Sequence, residues 1–517
     1  MSSRPKLTRA LARTAGGTLG VEMPPAHTLD LPERAVQFGT GALLRGFVDY
    51  FIDEANRKGQ FGGSIVAVSS TGSGRDDALN AQDGLYTLVI RGLTGGAATD
   101  CRRMIASVSR AISATQDWES VVAVARDPNI ELVFSNTTEA GIVLDEGDRG
   151  ATPPRSFPGK LTRFLYERAT AFDYDAARGV VVIPCELIEN NGATLREMVG
   201  TLATRWKLGA RFDRWLADAV PFCDTLVDRI VTGAPAAGDV EGLAAAHGYD
   251  DAMLTVCEPY RLFAIQAGDA VRPRLRFASA DAGIIVASDI APYRERKVRV
   301  LNGAHTSSVS VALLAGLDTV RSALADERVG RFMRHVVFEE IVPSLSVPEG
   351  EAFAAAVLER FANPFVDHAL VDITLQGSMK MRTRVVPSVV DYQRRFGRAP
   401  AGLALGFAAF LLTMRAEARA SRRAAGQKVP DDVHADTLAR YWRGVDETSP
   451  DTVAAFVAVV VDDHTLWGRS LAGVPGFAAA VTDHVTRAAR QGIHAALDAH
   501  FATGPATLLS STRPTFA

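Results

Sequence analysis

The chain has few cysteines for its length, and they are not spaced for metal binding or disulfide pairing. Four occur among 517 residues, at positions 101, 185, 223 and 257, without a CxxC pair, and the ten histidines are scattered. Zinc sites and disulfide frameworks place their cysteines and histidines at short, regular spacings. The sequence therefore predicts a protein of a reducing compartment, which we expect to be the cytoplasm, and no metal site.

Long apolar runs and an excess of one sign of charge are missing as well. No stretch is long and apolar enough to span a bilayer, and the first residues lack the apolar core of a signal sequence. The 56 basic and 59 acidic residues give a formal net charge of -3. This balance gives no electrostatic reason to expect binding to nucleic acid or to an anionic membrane.

The chain does contain enough apolar sequence for two cores. Hydrophobic residues make up 47% and charged residues 22%, as in typical globular proteins, and the length exceeds that of one ordinary core. Strand patterns dominate up to about residue 290, and helical periodicity dominates after it. The sequence predicts an α/β fold in three parts: an N-terminal, loosely ordered arm over 1–32, a Rossmann-type parallel-sheet domain over 33–290, and a mostly α-helical domain over 291–517.

A glycine pair follows the first predicted strand. Residues 34–38 form a short apolar run that leads into Gly39-Thr40-Gly41, and an amphipathic helix is predicted to continue through Phe51 and Ile52. A strand, a glycine turn and a helix in this order cradle the pyrophosphate of a dinucleotide. The usual third glycine is replaced by Leu44. Since glycine pairs also occur in ordinary loops, this pattern alone leaves both interpretations open.

Polar residues follow three further predicted strands, at 64–68, 131–135 and 179–183. Open parallel sheets bind ligands at this carboxyl edge. The candidates are Ser70 after the first of these strands, Asn136, Thr137, Thr138 and Glu139 after the second, and Asn191 after the third. Serines and Arg75 replace the acidic residue that usually binds the adenosine ribose, so NADP remains possible beside NAD. A hairpin is predicted from 85–90 and 103–108, and strands at 275–278 and 284–287 are expected to close this half.

One predicted helix, from Tyr293 to about Leu314, carries three polar residues on one side. At about 100° per residue, Asn302 lies about 140° and His305 about 80° from Lys297. Gly303 leaves room for a ligand or another backbone to approach. A buried cation, amide and imidazole are costly without partners or a use. The alternative interpretation is a solvated face with one satisfied histidine.

The sequence resembles the polyol-specific long-chain dehydrogenase/reductase family, which includes mannitol dehydrogenase. The resemblance covers about residues 36–471 and rests on a few motifs: the glycine turn 39–45, the VDRI element 227–230, the Lys297-x4-Asn302-x2-His305 helix, and the segments 360–364 and 378–380. A finer resemblance, to the tagaturonate reductase branch, rests on 82–87, 135–141, 183–187 and 290–297. Hexitol dehydrogenases tend to have Asp-Asn where this chain has Glu186-Leu187.

The resemblance implies roles for these residues. Lys297 would be the general acid in ketone reduction and the base in alcohol oxidation, His305 would hold a substrate hydroxyl, and Asn302 and Asn191 would donate to the substrate oxygen. The alignment at Asn191 could shift by one residue to Asn190. The cofactor-binding candidates are Phe38, Gly39, Thr40, Gly41, Ser70, Asn136, Thr137, Thr138 and Glu139. Lys380 and Asp228 are candidate substrate contacts, although Asp228 is equally expected as a structural ion-pair partner of Arg229 or Lys297. Arg261 and Arg384 are added as cations that a sugar carboxylate would need.

The implied reaction is the NAD-dependent, reversible reduction of a keto-uronate, D-tagaturonate, to its aldonate, D-altronate, in hexuronate catabolism. Fructuronate reductase and a mannitol-type hexitol dehydrogenase remain open within the family, as do a sugar-acid epimerase and a non-catalytic sugar sensor from other classes. A sugar carboxylate needs nearby cations, and Lys380 and Arg384 would share one face of a helix. A solvated basic face is the alternative. We expect a small-molecule sugar acid as ligand and a monomer or small homo-oligomer.

Overall fold

The computed structural model describes residues 4–14, 19–70, 74–137 and 141–503. The chain divides into two compact units, Met1–Ala291 and Pro292–Ala517. The strands described in the first unit are β1 (Glu33–Phe38), β2 (Ser64–Ser69), β3 (Tyr86–Thr94), β4 (Ala97–Ile105), β5 (Val108–Ser113), β6 (Leu132–Ser135), β7 (Val181–Pro184), β8 (Thr225–Asp228), β9 (Val231–Gly233), β10 (Thr255–Cys257), β11 (Leu262–Gln266) and β12 (Ile284–Ala287). Its helices are α1 (Arg9–Thr14), α2 (Ala42–Gly46), α3 (Val48–Arg57), α4 (Arg75–Asn80), α5 (Trp118–Ala125), α6 (Phe157–Ala171), α7 (Asn191–Trp206), α8 (Ala210–Ala219) and α9 (Ala237–His247).

A parallel five-stranded sheet, in the order β5-β2-β1-β6-β7, forms the centre of the first unit. Successive residues of β1 point to opposite faces, so Val36 packs with the apolar faces of α5 to α8 while Ala35 packs with α2 and α3. Because both faces are covered, β2, β6 and β7 are buried along their whole length. The predicted Rossmann-type domain is confirmed.

Two smaller sheets, β4-β3-β10-β9 and β12-β11-β8, complete this unit. The predicted hairpin is present as β3 and β4, but Val108 belongs to β5 of the main sheet. The strand predicted at 275–278 is wrong, since Arg276–Ala280 forms a 3-10 helix. Its buried residues, Phe277 and Ala280, lie three apart, which is the period of a 3-10 turn and not of a strand.

The predicted loose arm is also corrected by the structure. The described residues before β1 include α1 and are packed on the first unit, where Leu7 and Leu29 share a buried cluster with Leu85 and Tyr249. Arg4 adds ion pairs to Glu241 and Asp250. Apolar residues spaced widely among polar ones gave no periodic signal, although Leu7, Val21 and Leu29 are buried in the fold.

The second unit is built from helices, as predicted. They are α10 (Ala291–Arg296), α11 (Gly303–Leu314), α12 (Val320–Ala325), α13 (Glu327–His335), α14 (Val342–Ser344), α15 (Gly350–Phe361), α16 (Leu370–Ile373), α17 (Gly377–Lys380), α18 (Val386–Phe396), α19 (Ala401–Thr413), α20 (Ala416–Ala424), α21 (Ala435–Tyr441), α22 (Pro450–Asp462), α23 (His464–Trp467), α24 (Phe477–Gln491) and α25 (Ile493–Thr503). Three π-helical segments, Lys297–Asn302, Val336–Ile341 and Met381–Val385, connect consecutive α-helices.

The most buried helix of this unit is α19, in which every residue from Gly402 to Leu412 is buried. It packs against α11 and α24. In the described part of the chain no single helix has the length and apolar character to cross a membrane; α19 and α20 pass that test only when counted together, and they are bent by 62°.

The close packing of α19 on α11 can be tested at Gly406. A Cβ atom there would lie 2.3 Å from Ser307 O, so Gly406→Ala forces two backbones apart and should lower the stability of the second unit by about 1–3 kcal/mol. Gly200→Ala, in the interior of α7, is the matched control. A Cβ at Gly200 meets no described atom within 4 Å, so this change should stabilise by about 0.5–1 kcal/mol. Thermal melting of the two variants checks the expectation, which is wrong if both melt at or above the wild-type temperature.

Candidate active site

The turn after β1 is shaped by glycine. Gly39 has a φ of 132° and donates its N–H to Val68 O. A Cβ at this position would lie 3.0 Å from Asn136 O and 2.9 Å from Leu44 Cδ1. Gly41 precedes the first residue of α2, and a Cβ there meets no described atom within 4 Å. Gly39 is therefore needed by the fold, whereas Gly41 faces open space at a helix N-terminus.

The helix after this turn differs from the prediction. It breaks at Phe47, with φ −133° and ψ −76°, into α2 and α3. Gly46, at the end of α2, allows contact with β9, because a Cβ there would lie 2.7 Å from Val231 Cγ1. Close helix–strand packing is the task of the third glycine in the usual dinucleotide motif. Here Gly46, two positions beyond Leu44, makes such a contact.

Arg45 supports the glycine turn through hydrogen bonds. Its buried guanidinium donates to Thr40 O (2.5 Å) and to Thr255 Oγ1 (3.0 Å). The Tyr86 hydroxyl lies 2.8 Å from Arg45 O and 3.0 Å from Asp49 Oδ2, so its one proton is within reach of both acceptors. Burial raises the pKa of Asp49 to about 7. Thr40 thus contributes its carbonyl to a rigid support, a role that the spacing of the glycines did not reveal.

The ends of β1 and β6 lie side by side at the carboxyl edge of the sheet. Phe38 lies at this edge, but its ring packs in the core against Phe157 and Phe164, so its side chain is not available to a ligand. Asn136 N donates to Phe38 O and the Asn136 side chain donates to Cys185 O. Ser70 directly follows β2, next to β1. The predicted contacts Thr138 and Glu139 lie outside the described residues.

Glu186 organises the loop that follows β6. It is buried and accepts hydrogen bonds from Ser135 Oγ (3.1 Å) and Thr137 N (3.0 Å). Burial raises the pKa of its carboxyl. In the sequence, Glu186 serves only to distinguish this chain from the hexitol dehydrogenases. In the structure, its side chain fixes the backbone of Thr137. Its neighbour Leu187 is 62% exposed.

Asn191 does not have the geometry of a donor to a substrate oxygen. Its side chain is fully buried, and Nδ2 lies within hydrogen-bond distance of Pro184 O (3.1 Å), Glu186 O (3.1 Å) and Thr225 Oγ1 (2.9 Å). An amide nitrogen has two N–H groups, so these acceptors use both. Asn191 therefore joins β7, α7 and β8 structurally, and the expectation of an oxyanion role is corrected. Asn190, the alternative, is exposed and has a φ of 50°.

The two other substrate-contact candidates in the first unit are Asp228 and Arg261. Asp228 is the buried last residue of β8, where the VDRI element ends the strand. Arg261 is paired with Asp281, with Nε 2.8 Å and Nη2 2.7 Å from Oδ2, and it also donates to Pro259 O. Because this carboxylate already neutralises Arg261, the predicted contact with a substrate carboxylate is not supported at this residue.

The helix that carries Lys297, Asn302 and His305 extends from α10 to α11, as predicted, but it contains a π-helical segment. That segment starts at Lys297 and ends at Asn302. Since a π turn closes its hydrogen bonds from i to i+5, these two residues lie about one turn apart, closer than an α-helix would place them. Single π turns are frequent at functional sites. Gly303 permits close contact with another backbone, since a Cβ there would lie 3.3 Å from Arg384 O.

Asn302 presents an unused polar atom, and His305 is packed between two rings. Asn302 Oδ1 is buried and has no hydrogen-bond partner among the described residues. The ring of His305 lies between Phe361, at 4.1 Å between ring centroids, and His368, at 5.2 Å. Burial, and then the charges of His368, Arg360, Arg384 and Lys380, lower the pKa of His305 well below its usual range. The imidazole is therefore neutral at physiological pH.

Lys380 and Arg384 lie on a continuous helical path formed by α17, Met381–Val385 and α18. Lys380 Nζ donates to Ile373 O (2.9 Å), and Arg384 Nη1 lies 3.4 Å from Thr306 Oγ1. Burial lowers the pKa of both groups, and Arg384 lowers that of Lys380 further. The two partly buried cations both act on the pKa of His305. The sequence spacing places them on one helix face but does not relate them to His305.

Sequence reasoning missed Phe361 and His368, the two rings against His305. Phe361 ends α15 directly after Arg360, in a motif already singled out, and could have been found there. His368 lies in the loop before α16, and its sequence position gave no signal. Among the described residues no group of three or more His, Cys, Asp or Glu side chains is placed to hold a metal ion.

A parallel sheet with a glycine turn at its carboxyl edge, followed by a helix that carries Lys, Asn and His, defines a dinucleotide-dependent oxidoreductase. The model of the mannitol dehydrogenase Rossmann domain matches residues 33–279, and that of the mannitol dehydrogenase C-terminal domain matches residues 289–489. The chain belongs to the mannitol dehydrogenase family, and it is an oxidoreductase of CH–OH groups that uses a nicotinamide cofactor.

Named relatives agree with this assignment, and two solved structures share the fold. The altronate oxidoreductase of Pectobacterium atrosepticum is 45% identical over 478 residues, which cover 91% of this chain and 97% of that protein. That of Bacillus subtilis is 38% identical over 479 residues, which cover 92% and 97%. Mannitol 2-dehydrogenase of Pseudomonas fluorescens, solved with NAD and D-mannitol, shares the fold at a TM-score of 0.65 and 22% identity, covering 96% of this chain and 100% of that chain. A substrate-free D-sorbitol dehydrogenase gives a TM-score of 0.76 at 21% identity, covering 95% and 100%.

The open space at Gly41 leads to a test of cofactor binding. Gly41→Ala meets no described protein atom, so the melting temperature of the free protein should be unchanged, while the added methyl group should weaken NADH binding by about tenfold to hundredfold. Fluorescence titration with NADH measures the affinity. Gly39→Ala is the contrasting variant, because its Cβ meets Asn136 O and its stability should fall. Unchanged NADH affinity in Gly41→Ala would remove the glycine turn from the cofactor site.

Proposed function

We propose that the chain catalyses the NAD-dependent, reversible reduction of D-tagaturonate to D-altronate, with Lys297 as general acid and base. The observation that carries this proposal is the set of cations around His305: Lys380, Arg384 and Arg360 all act on its pKa. Partly buried cations suit an anionic sugar better than a neutral polyol. The names of the relatives at 38% to 45% identity support the same substrate.

The first unit supplies residues that fit a dinucleotide. Gly39 and Gly41 form a turn whose open side lies at the N-terminus of α2, where backbone N–H groups suit a pyrophosphate. Asn136, Thr137 and Ser70 lie at the same edge of the sheet. The bound nicotinamide gives a hydride to the ketone or takes one from the alcohol. We infer a preference for NAD, with NADP tolerated because Ser69 and Ser70 stand where a carboxylate usually excludes a 2′-phosphate.

Proton transfer and substrate orientation are assigned to the helix of the second unit. Lys297 would give its proton to the ketone oxygen in reduction and take the hydroxyl proton in oxidation. The Asn302 amide would donate a hydrogen bond to the same oxygen, and a donor of this kind is worth about 3 kcal/mol. Its buried Oδ1, which has no partner among the described residues, could accept from a substrate hydroxyl. With Asn191 occupied, Asn302 is the amide we retain for this role.

His305 and the cations would recognise the rest of the sugar. A neutral imidazole can both accept and donate a hydrogen bond, so His305 suits a hydroxyl group on the substrate. Lys380 keeps donor capacity beyond its bond to Ile373 O, since an ammonium has three N–H groups. Arg384 adds a guanidinium nearby. These two residues are the proposed partners of the substrate carboxylate.

Removal of the Lys297 side chain should abolish most of the proton transfer. Lys297→Ala is expected to lower kcat by about two to four orders of magnitude, the usual effect of a general acid or base, with NADH affinity nearly unchanged. Steady-state absorbance of NADH measures kcat, and stopped-flow measurement of NADH binding measures the affinity. Lys207→Ala, at an exposed position after α7, is the control and should keep full activity. A Lys297→Ala enzyme with more than about a tenth of the wild-type kcat would contradict the role.

Substrate choice is tested by NADH oxidation with D-tagaturonate, D-fructuronate and D-fructose. We expect kcat/KM for D-tagaturonate to exceed that for D-fructose by at least about a hundredfold, since a buried cation left without its carboxylate costs several kcal/mol. Lys380→Met should remove much of this difference while leaving slow fructose reduction intact. Arg261→Met should not change it, because Arg261 is already paired with Asp281.

The outcomes of this assay separate the alternatives. Preference for D-fructuronate would make the enzyme a fructuronate reductase, and equal use of fructose would place it with the hexitol dehydrogenases. Turnover of a sugar acid without net NADH oxidation would indicate an epimerase. If Arg261→Met, and not Lys380→Met, loses the preference for D-tagaturonate over D-fructose, the substrate carboxylate binds at Arg261 in the first unit.

A further inference from the structure

A second cavity in the first unit lies at the opposite edge of the main sheet from the glycine turn. Its volume is about 500 Å³, within the range of small-molecule sites. It opens at the amino ends of β1, β6 and β7, where Arg34, Glu131 and Gly179 line it. The 3-10 helices Arg272–Arg274 and Arg276–Ala280 form its other side. Nothing in the proposed reaction uses this edge.

The lining of this cavity carries a large excess of positive charge. It contains four arginines, at positions 34, 168, 274 and 276, and one acidic residue, Glu131. Glu131 is shared between Arg34, with Nη1 at 2.5 Å from Oε1, and Arg276, with Nη2 at 2.8 Å from Oε2. One carboxylate thus serves two guanidinium groups, which leaves the lining with three positive charges in excess.

Arg168 and Arg274 are held by backbone carbonyl groups. The Arg168 guanidinium, in a residue only 1% exposed, donates to the carbonyls of residues 125, 127, 130 and 178. Arg274 donates to Gly179 O (2.6 Å). Burial lowers the pKa of Arg168 to about 10, Asp127 opposes this shift, and Arg178 and Arg274 add to it. Carbonyl groups orient these cations without neutralising them.

Arg34 is held in place by its ion pair with Glu131 and by packing. Its stem fills the space left by Gly63, where a Cβ would lie 2.6 Å from Arg34 Cδ. Its Nε is buried and has no hydrogen-bond partner among the described residues. A buried N–H of a guanidinium without an acceptor is costly. The cavity therefore combines guanidinium groups that the fold holds in place with enough volume for a small molecule.

We propose that this cavity binds a small polyanion that carries phosphate groups. Guanidinium groups recognise phosphate oxygens through paired N–H donors, and three excess charges match a phosphate-bearing polyanion better than a single carboxylate. Arg274 and Arg276, which face the cavity from the same turn, would contact the anion, and Glu131 would keep Arg34 and Arg276 in place. This site is separate from the cofactor turn, and it does not depend on the proposed substrate.

The test uses pyrophosphate as the probe, with the full chain and saturating NADH so that the glycine turn is occupied. Isothermal titration calorimetry should show one site in the wild-type protein. Arg274→Gln and Arg276→Gln should each weaken it by about tenfold or more, the effect of losing one charged hydrogen bond. Arg272→Gln is the matched control, because Arg272 is an exposed arginine of the same turn that does not line the cavity.

Each outcome decides for or against the site. Loss of binding in the two lining variants, with Arg272→Gln unchanged and all melting temperatures within a few degrees, supports it. No binding at millimolar pyrophosphate, or an equal loss in all three variants, overturns it, since the latter indicates general surface charge. Citrate, a polyanion that carries carboxylates and no phosphate, tests the chemical class of the ligand. If citrate binds as tightly as pyrophosphate, the assignment to phosphate is wrong.

Discussion

The second unit depends on close contact between the backbone of the helix that carries Lys297, Asn302 and His305 and the backbones of its neighbours. At Gly303 a Cβ would approach Arg384 O to 3.3 Å, and at Gly406 a Cβ would approach Ser307 O to 2.3 Å. Because Gly303 allows the first contact, the helical path that carries Lys380 and Arg384 lies beside the helix that carries His305. Gly406 allows α19 to pack closely on the same helix.

The first unit solves a similar problem at the end of β1. Gly39 lets the chain turn under Asn136, and Gly46 lets α2 rest on β9. Backbone polar groups in such tight turns need hydrogen-bond partners. Buried Arg45 is the partner of one of them, because it donates to Thr40 O. Its own charge lies near Asp49 and Tyr86, so the turn is supported by a network that reaches from β1 to β3. A rigid turn of this kind suits a ligand whose phosphates need fixed N–H groups.

Much of this architecture could be predicted because hydrophobic periodicity is local. The buried strands and the long helix after Pro292 follow from patterns within ten to twenty residues. The pairing of Arg261 with Asp281 and the occupation of Asn191 by Thr225 depend on residues 20 and 34 positions apart, which spacing does not reveal. The π turn at Lys297–Asn302 was equally hidden, since the same residues satisfy an α-helical pattern. Prediction therefore succeeded for most elements and for placing three residues on one helix. It failed at the segment 275–278, and where a side chain is hydrogen-bonded to a residue distant in sequence.

The charge around His305 links these observations to the proposed substrate. Burial lowers the pKa of His305, and the charges of His368, Arg360, Arg384 and Lys380 lower it further, so the imidazole stays neutral and adds no further charge to the group. Burial lowers the pKa of Lys380 and Arg384 as well, which means that their charged forms lack full compensation from the protein. A carboxylate on the ligand would reverse this by favouring the charged forms. If the proposed function is right, the carboxylate of the keto-uronate supplies the negative charge that Lys380 and Arg384 lack. A neutral hexitol would leave these two cations uncompensated.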